Sequence, residues 1–85
     1  MTTNTIIYTK DYCPHCVQAK NLLKRKGVEF TEIDVTRDEN MLQEMITKSG
    51  GRKTVPQIFI GDTHVGGNDD LQALEKAGKL SELLN

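Results

Sequence analysis

Eighty-five residues allow one domain with a small core and no room for a second. With 11 basic and 12 acidic side chains and a net charge of −1, the balance favours neither nucleic acid nor a membrane surface as partner. The aromatics Tyr8, Tyr12, Phe30 and Phe59 do not alternate with basic residues as a stacking platform requires. Met1-Thr2-Thr3-Asn4 has no basic segment, apolar stretch or cleavage site, so neither a signal peptide nor a membrane span is expected. The expected compartment is the cytoplasm, whose reducing conditions make a disulfide more often catalytic than structural.

Thr5-Ile6-Ile7-Tyr8-Thr9 is rich in β-branched residues and reads as a first strand. Lys10-Asp11-Tyr12 forms a loop, and Pro14 suits the first turn of a helix running to about Lys26. Cys16, Ala19 and Leu23 share one face of that helix with Leu22 beside them. Lys24-Arg25-Lys26 complement its C-terminal dipole, and Gly27 stops it. Residues 28–35 read as a second strand whose alternation slips near Glu32. Thr36-x-x-Glu39 reads as a capping box for a second helix with Met41, Leu42, Met45 and Ile46 on its apolar face, ended by Gly50-Gly51. Gln57-Ile58-Phe59-Ile60 is a third strand, and Gly61-Asp62 suits a hairpin turn into Thr63-His64-Val65. Gly66-Gly67 breaks that strand. A third helix is expected from near Asp69, with Leu71, Leu74 and Ala77 on one side and Gly78 as stop. Leu80, Leu83 and Leu84 make a short last turn.

The order β-α-β-α-β-β-α requires a parallel pair joined by a helical crossover and an antiparallel hairpin. The expected fold is therefore α/β: a four-stranded mixed sheet flanked by helices, the architecture of a thioredoxin-like domain.

The only two cysteines sit in Cys13-Pro14-His15-Cys16, directly after the first strand. C-x-x-C beside a β-α-β pattern reads as a thiol–disulfide exchange motif. A structural disulfide or half of a zinc site are the alternatives, but tetrahedral zinc needs four ligands and His64 falls on a distant strand. Cys13 precedes the helix, so unpaired N–H groups and the positive dipole end favour its thiolate, the attacking species. Cys16 lies one turn in, on the apolar face, and is expected to be the buried resolving thiol. Lys10 is within reach of that thiolate or of a substrate carboxylate. Tyr12 would flank the thiol as an aromatic wall, and His15 would place a cation or donor inside the motif. Pro56 opens an apolar strand, a position where proline withholds a ladder donor. Gly66-Gly67 permits close backbone approach and leaves the N–H groups of Asn68 and Asp69 free for an anion.

Four blocks in order, Tyr8-Thr9-Lys10, Cys13-Pro14-His15-Cys16, Thr54-Val55-Pro56-Gln57-Ile58-Phe59-Ile60 and Gly66-Gly67-Asn68-Asp69-Asp70, resemble the glutaredoxins of the small bacterial dithiol type. The resemblance spans nearly the whole chain. It implies a glutathione-dependent oxidoreductase acting on protein–glutathione mixed disulfides and protein disulfides. It also implies a monomer with glutathione as co-substrate, no tightly bound cofactor and no metal. It implies a cis Val55–Pro56 bond facing the cysteines, with Thr54 and Val55 beside the substrate, so that the Val55 backbone can pair with an extended thiol peptide. It further implies that the N–H groups of Asn68 and Asp69, beside Gly67 in the binding segment, hold the γ-glutamyl carboxylate of glutathione and that Asp69 meets its ammonium. Lys10 and Arg52 would suit the glycyl carboxylate, with Lys53 and Arg37 as alternatives to Arg52. Asp70 is expected to support the helix start. Two departures stand out: His15 where the family commonly has tyrosine, and Asn68 where related chains often have cysteine or serine. An iron–sulfur cluster carrier using Cys13 and glutathione across a dimer, and a redoxin fed by thioredoxin reductase, are the rival readings.

Overall fold

Successive strand residues point to opposite faces, so Ile7 and Tyr8, adjacent on the first strand, anchor two separate cores. The computed structural model describes residues 4–84. Residues 1–3, on which the expectation of no leader partly rested, and residue 85 lie outside the described residues. The elements are β1 (Thr5–Thr9), α1 (Pro14–Arg25), β2 (Thr31–Asp34), α2 (Glu39–Lys48), β3 (Gln57–Ile60), β4 (Thr63–Gly66), α3 (Asn68–Lys76) and α4 (Leu80–Leu84). The sheet order is β2-β1-β3-β4. β1 is parallel to β2 and antiparallel to β3, and β3 is antiparallel to β4. Among the described residues no helix is long and apolar enough to cross a membrane.

On one face Ile7, Ile58 and Ile60 pack against Ala19, Leu22 and Leu23 of α1, Leu71 of α3 and Leu80 of α4. On the other, Tyr8 and Phe59 meet Val35 and Met45, with Met41, Leu42 and Ile46 of α2 and Val55 around them. The Tyr8 and Phe59 rings meet edge to face at 5.7 Å. The apolar stripe read along α2 is therefore the side that covers the sheet.

The second strand is shorter than residues 28–35. Its pairing with β1 runs only from Ile6↔Thr31 to Thr9↔Asp34, because β1 itself is short. Val28 and Phe30 still pack against the first core, but from the connection that leaves α1. The slip at Glu32 has a cause in this position. Glu32 pairs across from Ile7 on an edge strand, and its carboxylate accepts from Thr9 Oγ1 at 2.8 Å and from Lys20 Nζ at 2.9 Å.

The Thr36-x-x-Glu39 capping box does not form. Asp38 is the N-cap, its Oδ1 accepting the Met41 N–H at 3.0 Å, and Glu39 is the first helical residue. Thr36 Oγ1 instead accepts the Asp11 N–H at 2.8 Å, tying down the loop before the cysteines.

At the other end of the sheet, α3 begins one residue earlier than expected, with Gly67 as N-cap. Asp70 Oδ2 accepts the Gly67 N–H at 2.9 Å, the supporting role expected of it. Gly66 just before has φ +113°, and a Cβ there would collide with the Asp70 carboxylate. Gly66→Ala should therefore lower stability by about 2 kcal/mol or more, since it combines backbone strain with loss of the cap. A urea-denaturation midpoint unchanged from wild type would refute this.

Candidate active site

Cys13 is the N-cap of α1, in extended conformation, and Pro14 occupies the first helical position. Proline fits there because its missing N–H has no intrahelical partner to lose. Cys13 and Cys16 are joined as a disulfide with their Cα atoms 5.1 Å apart. The Cys16 N–H points at Cys13 Sγ at 3.1 Å, so one orphan donor of the helix end is directed at that sulfur. Cys16 is 2% exposed on the face that meets the core, whereas Cys13 is half-buried at the rim. The two sulfurs are thus unequal in access. Tyr12, immediately before them, is fully exposed and has φ +52°, the one non-glycine left-handed residue among those described. His15 is exposed.

Three segments meet near this rim. The first is Thr54-Val55-Pro56, where the Val55–Pro56 bond is cis and the Val55 carbonyl oxygen lies 3.9 Å from Cys13 Sγ. Thr54 is exposed and Pro56 buried. The second is the start of α3. Asn68 is buried, and its side chain bridges helices: Nδ2 donates to Gln18 Oε1 of α1 at 2.9 Å, and Oδ1 accepts from Gln72 Nε2 at 3.2 Å. Both polar atoms of the Asn68 side chain are thus engaged with helix neighbours. Asp69 is exposed. Arg52 reaches this same terminus, its Nη1 3.6 Å from Asp70 Oδ2, and its guanidinium lies alongside Gly66 and Gly67.

The third segment is a groove of about 450 Å³ between α1 and the β2 edge, lined in part by Lys10, Tyr12, Cys13, Cys16, Lys20 and Glu32. Lys10 and Arg52, both expected at one carboxylate, therefore stand in different settings: Lys10 in the groove, Arg52 against Asp70. Of the alternatives to Arg52, Arg37 lies 3.7 Å from Asp11, an exposed pair of little energetic weight, and Lys53 is exposed. A larger cavity of about 950 Å³ lies at the far end of α1, beside Lys26, Gly27 and Phe30, away from the sulfurs. Among the described residues no three His, Cys, Asp or Glu side chains cluster as metal ligands.

Several polar groups around the site escaped the sequence reading. Gln57 is fully buried at the start of β3 and donates through Nε2 to Thr54 O at 3.0 Å and Thr54 Oγ1 at 3.1 Å. His64 Nε2 lies 2.7 Å from Gln57 Oε1, and its ring stacks on Phe59 at 4.8 Å. Burial pushes the His64 imidazole below its ordinary value; the Arg52 charge adds to this and Asp70 opposes it. The available signal was a lone amide in an otherwise apolar strand, which a buried position must satisfy.

A sequence model of the Glutaredoxin family matches residues 5–65. A glutaredoxin of Pseudomonas aeruginosa is 55% identical over 80 residues, spanning 94% of this chain and 94% of that protein. The chain belongs to the glutaredoxin family. This glutaredoxin is also similar to the solution structure of glutaredoxin from Brucella melitensis, with TM-score 0.85 and 55% identity over 98% of this chain and 89% of that one. It is likewise similar to the crystal structure of a buckwheat glutaredoxin–glutathione complex, with TM-score 0.86 and 27% identity over 96% of this chain and 76% of that one. Family membership and the Cys13–Cys16 pair together make it a thiol–disulfide oxidoreductase.

Beside the dithiol, the Lys20 ammonium holds the Glu32 carboxyl below its usual range, against an opposing effect of burial and with help from Thr9. A carboxyl depressed in the folded state stabilises above its unfolded value, and that contribution is lost as pH falls through the folded one. In this glutaredoxin, Glu32→Gln should therefore be less stable than wild type at neutral pH, and the two should converge on acidification. Denaturant midpoints taken across that range check the sign; a gap that widened towards acid would contradict it.

Proposed function

We propose that this glutaredoxin is a glutathione-dependent oxidoreductase that reduces protein–glutathione mixed disulfides and protein disulfides, working as a single-domain monomer in the cytoplasm. The observation that carries the reading is the approach of a helix N–H and the Val55 carbonyl to one sulfur, on a helix that the start of α3 is bonded to. Cys13 Sγ meets a helix N–H on one side and the Val55 carbonyl at 3.9 Å on the other. The α3 N-terminus, bridged to α1 through Asn68 and Gln18, lies across from them. The buckwheat relative, solved with glutathione, supports the choice of co-substrate.

In this mechanism the Cys13 thiolate attacks the glutathione sulfur of a mixed disulfide. The protein–glutathione bond breaks, the protein thiolate leaves and takes a proton, and Cys13 carries the glutathionyl group. A second glutathione thiolate attacks that group, releasing oxidised glutathione and the Cys13 thiolate. With a protein disulfide, Cys13 first bonds one substrate sulfur as the substrate S–S bond breaks, and the other sulfur leaves as a thiolate that takes a proton. The Cys16 thiolate then attacks Cys13 Sγ, expels the substrate thiol and closes the Cys13–Cys16 disulfide, the form seen here. Two glutathiones return it to the dithiol. Pre-set geometry matters because the attacking sulfur must be aligned with the bond it breaks.

The roles assigned to glutathione's ends follow the groups at hand. The free N–H groups of Asn68 and Asp69 would take the γ-glutamyl carboxylate, next to Gly67, which allows close approach. The Asp69 carboxylate would meet the ammonium. Lys10, and Arg52 swinging from Asp70, would supply positive charge to the glycyl carboxylate. Thr54 and Val55 would present backbone to the tripeptide like an added strand, held by Pro56. Tyr12 and His15 would flank the opened disulfide.

Two tests follow. Cys13→Ser should abolish turnover of both substrate classes in a glutathione-coupled assay, whereas Cys16→Ser should retain reduction of a small glutathionyl mixed disulfide; equal loss in both variants would sink this division of roles. His15→Tyr removes a potential positive charge beside Cys13, and such a charge stabilises the thiolate and hence the reduced form. Titration against glutathione buffers should accordingly give a more negative reduction potential for His15→Tyr, and an unchanged value would refute the role of His15.

A further inference from the structure

We infer that Gln57 and His64 are positioning residues which hold the Thr54-Val55-Pro56 turn against Cys13, with His64 kept as its Nε2–H tautomer. The inference rests on the function proposed above only for its kinetic consequence. The geometry stands alone. Gln57 is fully buried, and its amide has one acceptor and two donors to satisfy. One end of that amide faces the Thr54 carbonyl oxygen at 3.0 Å. A carbonyl oxygen can only accept, so the amide nitrogen must lie there. Its second proton goes to Thr54 Oγ1 at 3.1 Å. The amide oxygen is thereby turned towards His64 Nε2 at 2.7 Å, and that ring nitrogen must carry the proton. In the neutral ring this leaves Nδ1 bare.

Val55 packs into the α2 core, and these side-chain bonds supply the polar anchoring of the turn. Pro56 has no N–H to give. Among the described residues, no backbone-to-backbone bond outside the regular elements anchors residues 53–56. The tether therefore runs from β4 through His64 to Gln57 at the head of β3, and from Gln57 back to Thr54. Phe59 keeps the imidazole in plane, with ring centroids 4.8 Å apart and planes 25° from parallel. His64 and Phe59 are themselves paired across β3 and β4, so the ring's place is fixed by the sheet. The Val55 carbonyl next to Thr54 is the group that faces Cys13 Sγ, and a slack turn would misplace the edge offered to an extended thiol substrate. Only forms of His64 with a proton on Nε2 satisfy the Gln57 oxygen.

The first test needs no activity. Long-range proton–nitrogen correlation spectra of the wild-type imidazole at neutral pH should show the Nε2–H tautomer; the Nδ1–H tautomer would overturn the inference. The second uses His64→Phe, which keeps a ring against Phe59 but removes the donor, and His64→Gln, whose amide nitrogen reaches towards the place of Nε2. Loss of one positioning hydrogen bond should raise KM for a glutathionylated peptide about fivefold in His64→Phe, leave kcat within about twofold, and be rescued by His64→Gln. In His64→Phe the Gln57 side-chain amide protons should exchange with solvent faster while the Ile58 backbone amide keeps its wild-type rate. An unchanged KM, or loss of KM, kcat and Ile58 protection together in both variants, overturns the positioning role. If the wild type itself shows no glutathione-coupled turnover, the proposed function fails, and the tautomer and Gln57 exchange still decide the tether.

Discussion

The pairing of β1 with both of its neighbours is the constraint from which the dithiol site follows. β1 runs parallel to β2, so the chain must cross over through α1, and the N-terminus of that helix falls beside the C-terminal end of β1. β3 runs the other way, with Gln57 opposite Tyr8, so the start of β3 lies at the same edge. The end of one strand and the beginning of the other deliver Cys13 and Val55-Pro56 to one place, although 42 residues separate Cys13 from Val55. A single register shift between β1 and β3 would exchange the faces of Ile58 and Phe59 and carry the turn away from the sulfur.

Element types were legible from local signals because those signals are local in cause. Proline after the first cysteine, the basic last turn, Gly27 and the apolar positions of α1 all speak about one helix, and that helix is where they place it. Strand length was not legible in β2, because it is set by how much of β1 is available to pair with. The cap of α2 departs from its local pattern for a related reason. Thr36 and Glu39 have the right spacing, but Asp38 competes for the same terminus, and Thr36 finds a partner in the Asp11 backbone that no local pattern announces.

The same division runs through the candidate site. The unequal access of Cys13 and Cys16 follows from their positions on one helix and could be read in advance. The pairing of Arg52 with Asp70 could not, since it joins the segment after α2 to the start of α3. Nor could the burial of Asn68, whose side chain turns inwards to Gln18 while its neighbour Asp69 remains exposed. Long-range polar contacts of this kind leave little trace in periodicity. They show only as residues that break a pattern, as Glu32 and Gln57 do.

The two cores divide labour in a way that matters for how the protein can vary. The core under α1, α3 and α4 supports the helix that carries the sulfurs, whereas Val55 packs into the thinner core under α2. The attacking group and the backbone that faces it are thus mounted on separate cores, with the sheet between them and the Cys13–Val55 approach across them. Substitutions at Met41, Leu42 or Ile46 can reshape the surface offered to a substrate while the sulfurs and their helix end stay as they are. Changes in the α2 core therefore bear first on the backbone edge a substrate meets, and changes in the α1 core bear first on the sulfurs.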